Sequence, residues 1–191
     1  MPELTVSLPL WIIAQGILFV AIVLQVYAFQ VRNKKKTLIL AGLFSACTAV
    51  SSALLLNWVV FSLMTAAAVR NFVFAYLEHR KTTGKVTPQW VLRLLLVFFF
   101  VAFTVPVVFT HVWWLDWVLL AATLIIVYGT YANGIHIFRF GFVSFNSFLI
   151  VNHIVFFNIV GIIQSVLVIS SIAVFYVRVF VKKRKLQVAA G

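Results

Sequence analysis

Seven long apolar runs, separated by short polar gaps, restrict the fold of this chain more than any other feature of its sequence. A helix of about 20 apolar residues spans the hydrocarbon core of a membrane. The runs are continuously apolar and do not alternate with polar residues, which predicts helices rather than the strands of a β-barrel. The predicted spans are Leu8–Phe29, Leu38–Leu56, Trp58–Tyr76, Trp90–Val108, Leu115–Tyr131, Phe140–Phe157 and Ile159–Val181.

The composition predicts the same class of protein. Hydrophobic residues make up 64% of the 191 residues and charged residues 9%, too few to cover the surface of a soluble domain. A net charge of +12 would suggest nucleic acid as the partner of a soluble protein. In a membrane protein, loop topology and attraction to anionic lipids of the inner leaflet explain this charge. We therefore expect an all-α integral membrane protein that has the lipid bilayer as its partner and binds no nucleic acid.

Lysine and arginine lie in every second gap between the runs. The first, third and fifth gaps contain Arg32–Lys36, Arg80–Lys85 and Arg139, and the tail contains Lys182–Lys185. Short loops rich in basic residues stay on the cytoplasmic side of a membrane. This pattern predicts a multi-pass protein of the plasma membrane, with its N-terminus outside and its C-terminus in the cytoplasm.

The runs group as three, one and three, and the two groups of three match each other. A shift of 101 residues superposes them without a gap and aligns Tyr27 with Tyr128 and Asn57 with Asn158. A three-helix unit ends on the opposite side from its start, so a direct repeat would be inverted, and the fourth run restores the direction. Parallel repeats of this kind are known in transporters, with the substrate between the halves. Helices of similar length also align by accident, and that alternative stays open.

The predicted organisation follows from this alignment. Residues 1–81 form a first three-helix repeat, residues 82–110 carry a linker helix, and residues 111–191 form a second three-helix repeat with a basic tail.

Several local motifs in the chain add a resemblance to a known family. The motifs are Phe29-Gln30 before the basic cluster, Leu54-Leu55-Leu56, the stretch Thr65–Phe74, Gly129-Thr130-Tyr131 and the serines of the seventh run. With these motifs the chain resembles the YgjV-type bacterial inner-membrane proteins over nearly its whole length. The resemblance implies a bacterial inner membrane location and a helical shape, and it implies no reaction.

The three-one-three plan is also similar to the folds of sugar facilitators (SWEET, PQ-loop) and nicotinamide-riboside carriers. A PQ-loop protein has proline within its first spans. Here Pro9 begins the first span and Pro88-Gln89 lies in a loop. The similarity therefore implies a transporter-like architecture, and this departure removes the support for a sugar as its substrate.

Polar residues inside a span are candidates for function, because each costs free energy unless it is paired or hydrated. Asn146 and His153 are two helical turns apart on the sixth run, and Asn152 is next to His153. The shift of 101 residues aligns Asn146 and His153 with Ser45 and Ser52 on the second run. These residues are predicted to line a pocket for an unknown small polar metabolite, with amides and an imidazole as its hydrogen-bonding groups.

The alternative is that the same residues hold helices together. Serine and asparagine between membrane helices contribute about 0.6 kcal/mol each as hydrogen-bonding groups, and small residues such as Ser45, Ala49 and Ala53 allow helices to approach. Arg70 lies two turns inside the third run. It either binds an anionic group in a hydrated cavity or extends along its helix to the membrane boundary. Gln25 and Gln164 form no recognisable pattern.

The sequence lacks the residue patterns that ion coupling, catalysis and metal binding require. The acidic residues Glu3, Glu78 and Asp116 all lie at the boundaries or outside the runs, so carboxylate-based ion coupling is not expected. No nucleophile–base pair, phosphate-binding glycine loop or metal-ligand cluster is recognisable, so we expect neither an enzyme nor a cofactor or metal.

These features favour an uncoupled transporter of a small metabolite, with the site between the two halves. The alternative is a membrane protein without transport activity that binds a lipid or a protein partner through Lys34–Lys36 and Lys182–Lys185. A homodimer is left open.

Overall fold

The computed structural model describes residues 7–55, 58–84, 87–110, 114–131, 135–155 and 159–188. Only the backbone is described at residues 58–59, 110, 114–116, 119, 152–153, 155, 159–161 and 182–188. Over these ranges the chain forms seven helices. They are α1 (Leu8–Gln30), α2 (Lys34–Leu54), α3 (Trp58–Thr82), α4 (Gln89–Thr110), α5 (Trp114–Tyr131), α6 (Ile135–Val155) and α7 (Ile159–Val188).

The structure confirms the all-helical membrane class. In the described part of the chain, five helices are long and apolar enough to cross a membrane, namely Leu8–Gln30, Lys34–Leu54, Val60–Thr82, Gln89–Phe109 and Ile162–Val181. The described parts of α5 and α6 are shorter apolar helices, Leu120–Tyr131 and Ile135–Val151.

Four helices extend past their predicted spans at the end of the bundle where the basic residues lie. There α2 begins at Lys34 and α6 at Ile135, while α3 ends at Thr82 and α7 at Val188. An apolar run marks only the hydrocarbon layer, whereas backbone hydrogen bonding continues into the polar boundary. At the start of α2 the Asn33 side chain accepts a hydrogen bond from the Lys36 amide at 3.2 Å, which caps the helix.

The outer surface is that of a protein in contact with lipid. Large apolar side chains point outward from every helix; Phe109, for example, is 82% exposed. The interior is instead rich in alanine and in polar residues such as Ser45 and Asn146. Helix α4 is the most peripheral, and its buried side chains are Phe99 and Phe103.

Neighbouring helices in the chain pack side by side. Helix α2 packs between α1 and α3, α6 packs between α5 and α7, and α4 contacts both α3 and α5. The first and last helices, α1 and α7, also contact each other, whereas α3 and α5 contact only sparsely. Phe29 of α1 and Phe138 of α6 each place a ring 4.9 Å from that of Phe142, which joins α1 to α6 through aromatic contacts.

Two glycines bring α5 and α6 to backbone contact. A Cβ atom on Gly129 would lie 2.6 Å from the Cα and the amide nitrogen of Phe138, and one on Gly141 would lie 3.0 Å from the amide nitrogen of Ile126. Membrane helices use small residues in this way because lipid provides no hydrophobic force to join them, so close packing must do so.

We predict that Gly129→Ala destabilises the protein by about 1–3 kcal/mol, because the new methyl group meets backbone atoms that cannot move aside. Thermal unfolding of the purified protein in detergent measures the effect. Gly16→Ala is the matched control, since nothing lies within 4 Å of a Cβ atom at that position. Equal thermal stability of the two variants would contradict the close approach of α5 and α6.

Candidate functional site

Three of the residues predicted to line a pocket form hydrogen bonds within their own helices. The hydroxyl groups of Ser45 and Ser52 donate to the carbonyl groups of Ala41 and Thr48, at 2.9 and 2.8 Å. The Asn146 amide donates to the carbonyl of Phe142 at 2.8 Å. All three side chains are buried, and no hydrogen bond in the described part of the chain joins either serine to Asn146. Asn152 and His153 belong to α6, but their side chains lie outside what the structure describes.

Ser51, next to Ser52 on α2, forms a hydrogen bond between two helices. Its hydroxyl donates to the carbonyl of Ala14 on α1 at 2.9 Å, and the side chain is fully buried. This bond holds α1 against α2 within the first half of the chain.

Arg70 is buried near the middle of α3 and is 3% exposed. Its Nε and Nη2 atoms both donate to Oδ1 of Asn71, at 3.2 and 3.1 Å. Its guanidinium carbon lies 5.4 Å from the centre of the Phe103 ring on α4. The side chain therefore stays at the depth of Phe103, inside the helix bundle, instead of extending to the membrane boundary.

The sequence prediction that Arg139 is a loop charge was wrong. Arg139 lies in the second turn of α6 and is 0% exposed. Its Nη2 donates to the carbonyl groups of Phe29 and Val31 at 3.1 and 2.7 Å, and the guanidinium carbon lies 3.5 Å from the centre of the Phe175 ring. The last carbonyl groups of a helix have no partner within the helix and carry negative partial charge, so a buried arginine stabilises the end of α1.

Arg139 is only partly satisfied by these contacts. Among the described residues, its Nε and Nη1 atoms are buried and have no hydrogen-bond partner. The guanidinium group thus joins the end of α1 and the start of α6 to the middle of α7, while three of its N–H donors have no described acceptor.

A second set of contacts joins α1 directly to α7. The Gln30 amide donates to both the carbonyl and the hydroxyl of Ser171, at 2.7 and 2.8 Å, and this hydroxyl donates to the carbonyl of Val26 at 2.9 Å. Two turns further along α7, Nη1 of Arg178 donates to Oε1 of Gln30 at 3.3 Å. Two turns before Ser171 on α7, the Gln164 amide lies 3.4 Å from Oε1 of Gln25.

We call this set of contacts the polar seam. It runs along the contact between α1 and α7 and ends at α6. Its members are Gln25, Gln30, Arg139, Gln164, Ser171 and Arg178.

Sequence reasoning missed the polar seam, although one signal was present. Gln164, Ser171 and Arg178 are spaced by seven residues and therefore share one face of α7. The partners on α1 do not follow a helical repeat, because Gln25 and Gln30 are five residues apart. Only the packing of α1 against α7 brings the two sets together.

An apolar groove lies beside the seam on the outer surface, between α6 and α7. It has a volume of about 320 Å³. Its lining residues are Phe140, Val143, Ile169, Ile172, Ala173 and Tyr176. At one end of it, the Tyr176 hydroxyl is hydrogen-bonded to Nδ1 of His136 at 2.9 Å. The groove suits a hydrocarbon chain rather than a polar molecule.

The fold and the buried polar groups define a class of protein: a multi-helical integral membrane protein with a lipid-facing shell and hydrogen-bonded contacts between helices. The chain belongs to the Imp-YgjV family of bacterial inner membrane proteins, whose family model matches residues 12–183. The family match confirms the resemblance seen in the local motifs and the location in a bacterial inner membrane. No curated protein matches the chain, and no solved structure matches it.

We predict that Arg139→Leu destabilises the protein by about 2 kcal/mol. The change leaves the carbonyl groups of Phe29 and Val31 without a donor in a region of low dielectric constant and removes the stacking on Phe175. Removal of a buried charge offsets part of this loss. Thermal unfolding in detergent measures it.

Arg178→Leu is the control, because Arg178 is exposed and forms one long hydrogen bond. Its effect should stay within about 0.5 kcal/mol. If Arg139→Leu is as stable as the wild-type protein, Arg139 does not stabilise the end of α1.

Proposed function

We propose that the protein is an uncoupled transporter that passes a small polar metabolite between two parallel three-helix halves, residues 1–81 and 111–191, joined by α4. In this proposal the N-terminus is outside and the C-terminus is cytoplasmic. The observation that carries the proposal is the polar seam, since a polar contact lies where the first half meets the second. Asn146, Asn152, His153, Ser45, Ser52 and Arg70 remain the proposed lining residues.

The chemistry of the polar seam supports reversible separation of the halves. When two packed apolar surfaces part and water enters, exposure costs about 25 cal/mol per Å². Glutamine, serine and arginine side chains can instead exchange their partners for water, and each interhelical hydrogen bond contributes only about 0.6 kcal/mol. A contact such as that of Gln30 with Ser171 is therefore suited to opening and closing.

The pairing of the helices also supports a path between the halves. Under the shift of 101 residues, the contact of α1 with α7 corresponds to the contact of α5 with α3. The first is closed by the polar seam, while α3 and α5 contact only sparsely. In this proposal the metabolite passes between the halves, beside the loose contact of α3 with α5, while the polar seam holds the other contact closed.

A disulfide across the polar seam tests the proposal. Cys47→Ala, Val26→Cys and Ser171→Cys are combined, because the Ser171 hydroxyl reaches the backbone carbonyl of Val26 at 2.9 Å. The protein is then reconstituted into liposomes. Uptake of sugars, nucleosides, vitamins and small anions is measured by a radiolabel assay. We expect oxidation to stop uptake and reduction to restore it, because the bond prevents α1 from separating from α7.

The control disulfide joins Ala14→Cys to Ser51→Cys, which are also in direct contact but within the first half. Its oxidation should leave uptake intact. Uptake that is unaffected by the bond between residues 26 and 171 would show that passage does not require the seam to open. An absence of uptake for every solute would contradict transport.

The second candidate function is lipid binding, and the groove between α6 and α7 favours it. The groove is apolar along its length, and the exposed residues His136 and Arg178 lie toward the basic end of the bundle. This matches the two chemical parts of an anionic lipid. Strong binding of phosphatidylglycerol by a protein that takes up no solute would favour this candidate.

A further inference from the structure

In the part of the chain that the structure describes, no acidic side chain pairs with Arg70. The three acidic residues of the chain are Glu3, Glu78 and Asp116. Glu78 lies about 12 Å further along α3, since each helical residue rises about 1.5 Å, and it pairs with Lys34 at 3.8 Å. Asp116 is the third residue of α5 and lies at the start of that helix. A buried guanidinium group without a counter-charge is costly in a membrane, so it is a strong indication of function.

Asn71 increases the excess of donors beside Arg70. Its Oδ1 accepts the hydrogen bonds from Arg70, so only its NH₂ group is left to bind a further partner, as a donor. Asn71 is 1% exposed. In the described part of the chain, Nδ2 of Asn71 is buried and has no partner. The pair therefore offers a positive charge together with N–H donors, a combination that binds an acceptor with negative charge.

The location of the pair fits the proposed path between the halves. Arg70 lies against Phe103 of α4, which contacts both α3 and α5. Under the shift of 101 residues Arg70 corresponds to Ser171, the central residue of the polar seam. On this alignment Arg70 has the position in the first half that Ser171 has in the second, and its observed interhelical contact is with Phe103 of α4.

We propose that Arg70 and Asn71 form a binding site for a small oxyanion, a carboxylate or a phosphate, which is the solute that the protein transports. This inference rests on the proposed function. The anion accepts hydrogen bonds from the guanidinium group and from Nδ2 of Asn71 and supplies a negative charge that no described acidic side chain provides there. Phe103 covers the site from the side of α4.

Anion binding to the purified full-length protein in an uncharged detergent tests the site. The unfolding temperature is measured in the presence of inorganic phosphate, acetate or sulfate. Chloride at equal ionic strength and glucose are the references. We expect one of the oxyanions to raise the unfolding temperature of the wild-type protein and to bind Arg70→Gln at least tenfold more weakly. Asn71→Leu should also weaken binding.

Two further variants keep the test decisive. Arg93→Gln removes an exposed positive charge from α4 and should bind as the wild type does. If Arg70→Gln does not fold, Arg70→Lys replaces it: a lysine keeps the charge but not the planar fork, so weaker binding is again expected. Equal oxyanion binding by the wild-type protein and a folded Arg70 variant would overturn the site.

The source of the anion is settled by two parallel measurements. A response to free phosphate or acetate supports a transported solute. A response to nanodiscs with phosphatidylglycerol, with none to the free anions, would overturn it in favour of a lipid headgroup. Uptake of neutral solutes that is blocked by the disulfide across the seam, without any anion response, would refute the oxyanion site and leave the proposed function standing.

Discussion

The hydrocarbon layer offers no hydrogen bonds, and this constraint determines the rest of the structure. Backbone groups must pair within helices, and each polar side chain must find a partner on its own helix or on a neighbouring one. Ser45, Ser52 and Asn146 take the first course and bond to a carbonyl one turn back. Ser51, Ser171 and Arg139 take the second and bond to carbonyl groups of α1. The buried polar groups of the second kind determine which helices are joined, and α1 is their common acceptor.

The contacts between helices are of two physical kinds. Helices α5 and α6 meet through Gly129 and Gly141 at backbone distance, a contact that depends on shape and leaves no room for movement. Helices α1 and α7 meet through side-chain hydrogen bonds, which tolerate separation because water can replace each partner. The same chain thus contains a rigid contact within its second half and an exchangeable one between its halves. This difference in chemistry is the basis for the proposed transport.

The sequence predicted the helices because the apolar runs measure the thickness of the membrane directly. The predicted ends of four helices were wrong, because a helix end depends on the polar boundary of the membrane. Asn33 caps α2 there, and α6 begins there at Ile135. The pattern predicts a loop charge at Arg139 for the same reason, because Arg139 directly precedes the apolar run Phe140–Phe157. Its burial against α1 and α7 depends on packing, which no local pattern encodes. Gln25 and Gln164 were recognised as polar, but their pairing depends on the packing of α1 against α7, which no local pattern encodes. The predicted contribution of His153 lies outside the described side chains and stays a prediction.

The central claim is that the contact between α1 and α7 opens to water, whereas contacts within each half stay closed. Ser51 and Ser171 form a matched pair for measuring this, because both are buried and both donate to a carbonyl of α1 at 2.9 Å. Each is replaced by cysteine in a Cys47→Ala background, and the rate of labelling by a membrane-impermeant thiol reagent is measured in liposomes. The account predicts that the cysteine at position 171 is labelled and the cysteine at position 51 is protected. Equal protection at both positions would contradict it.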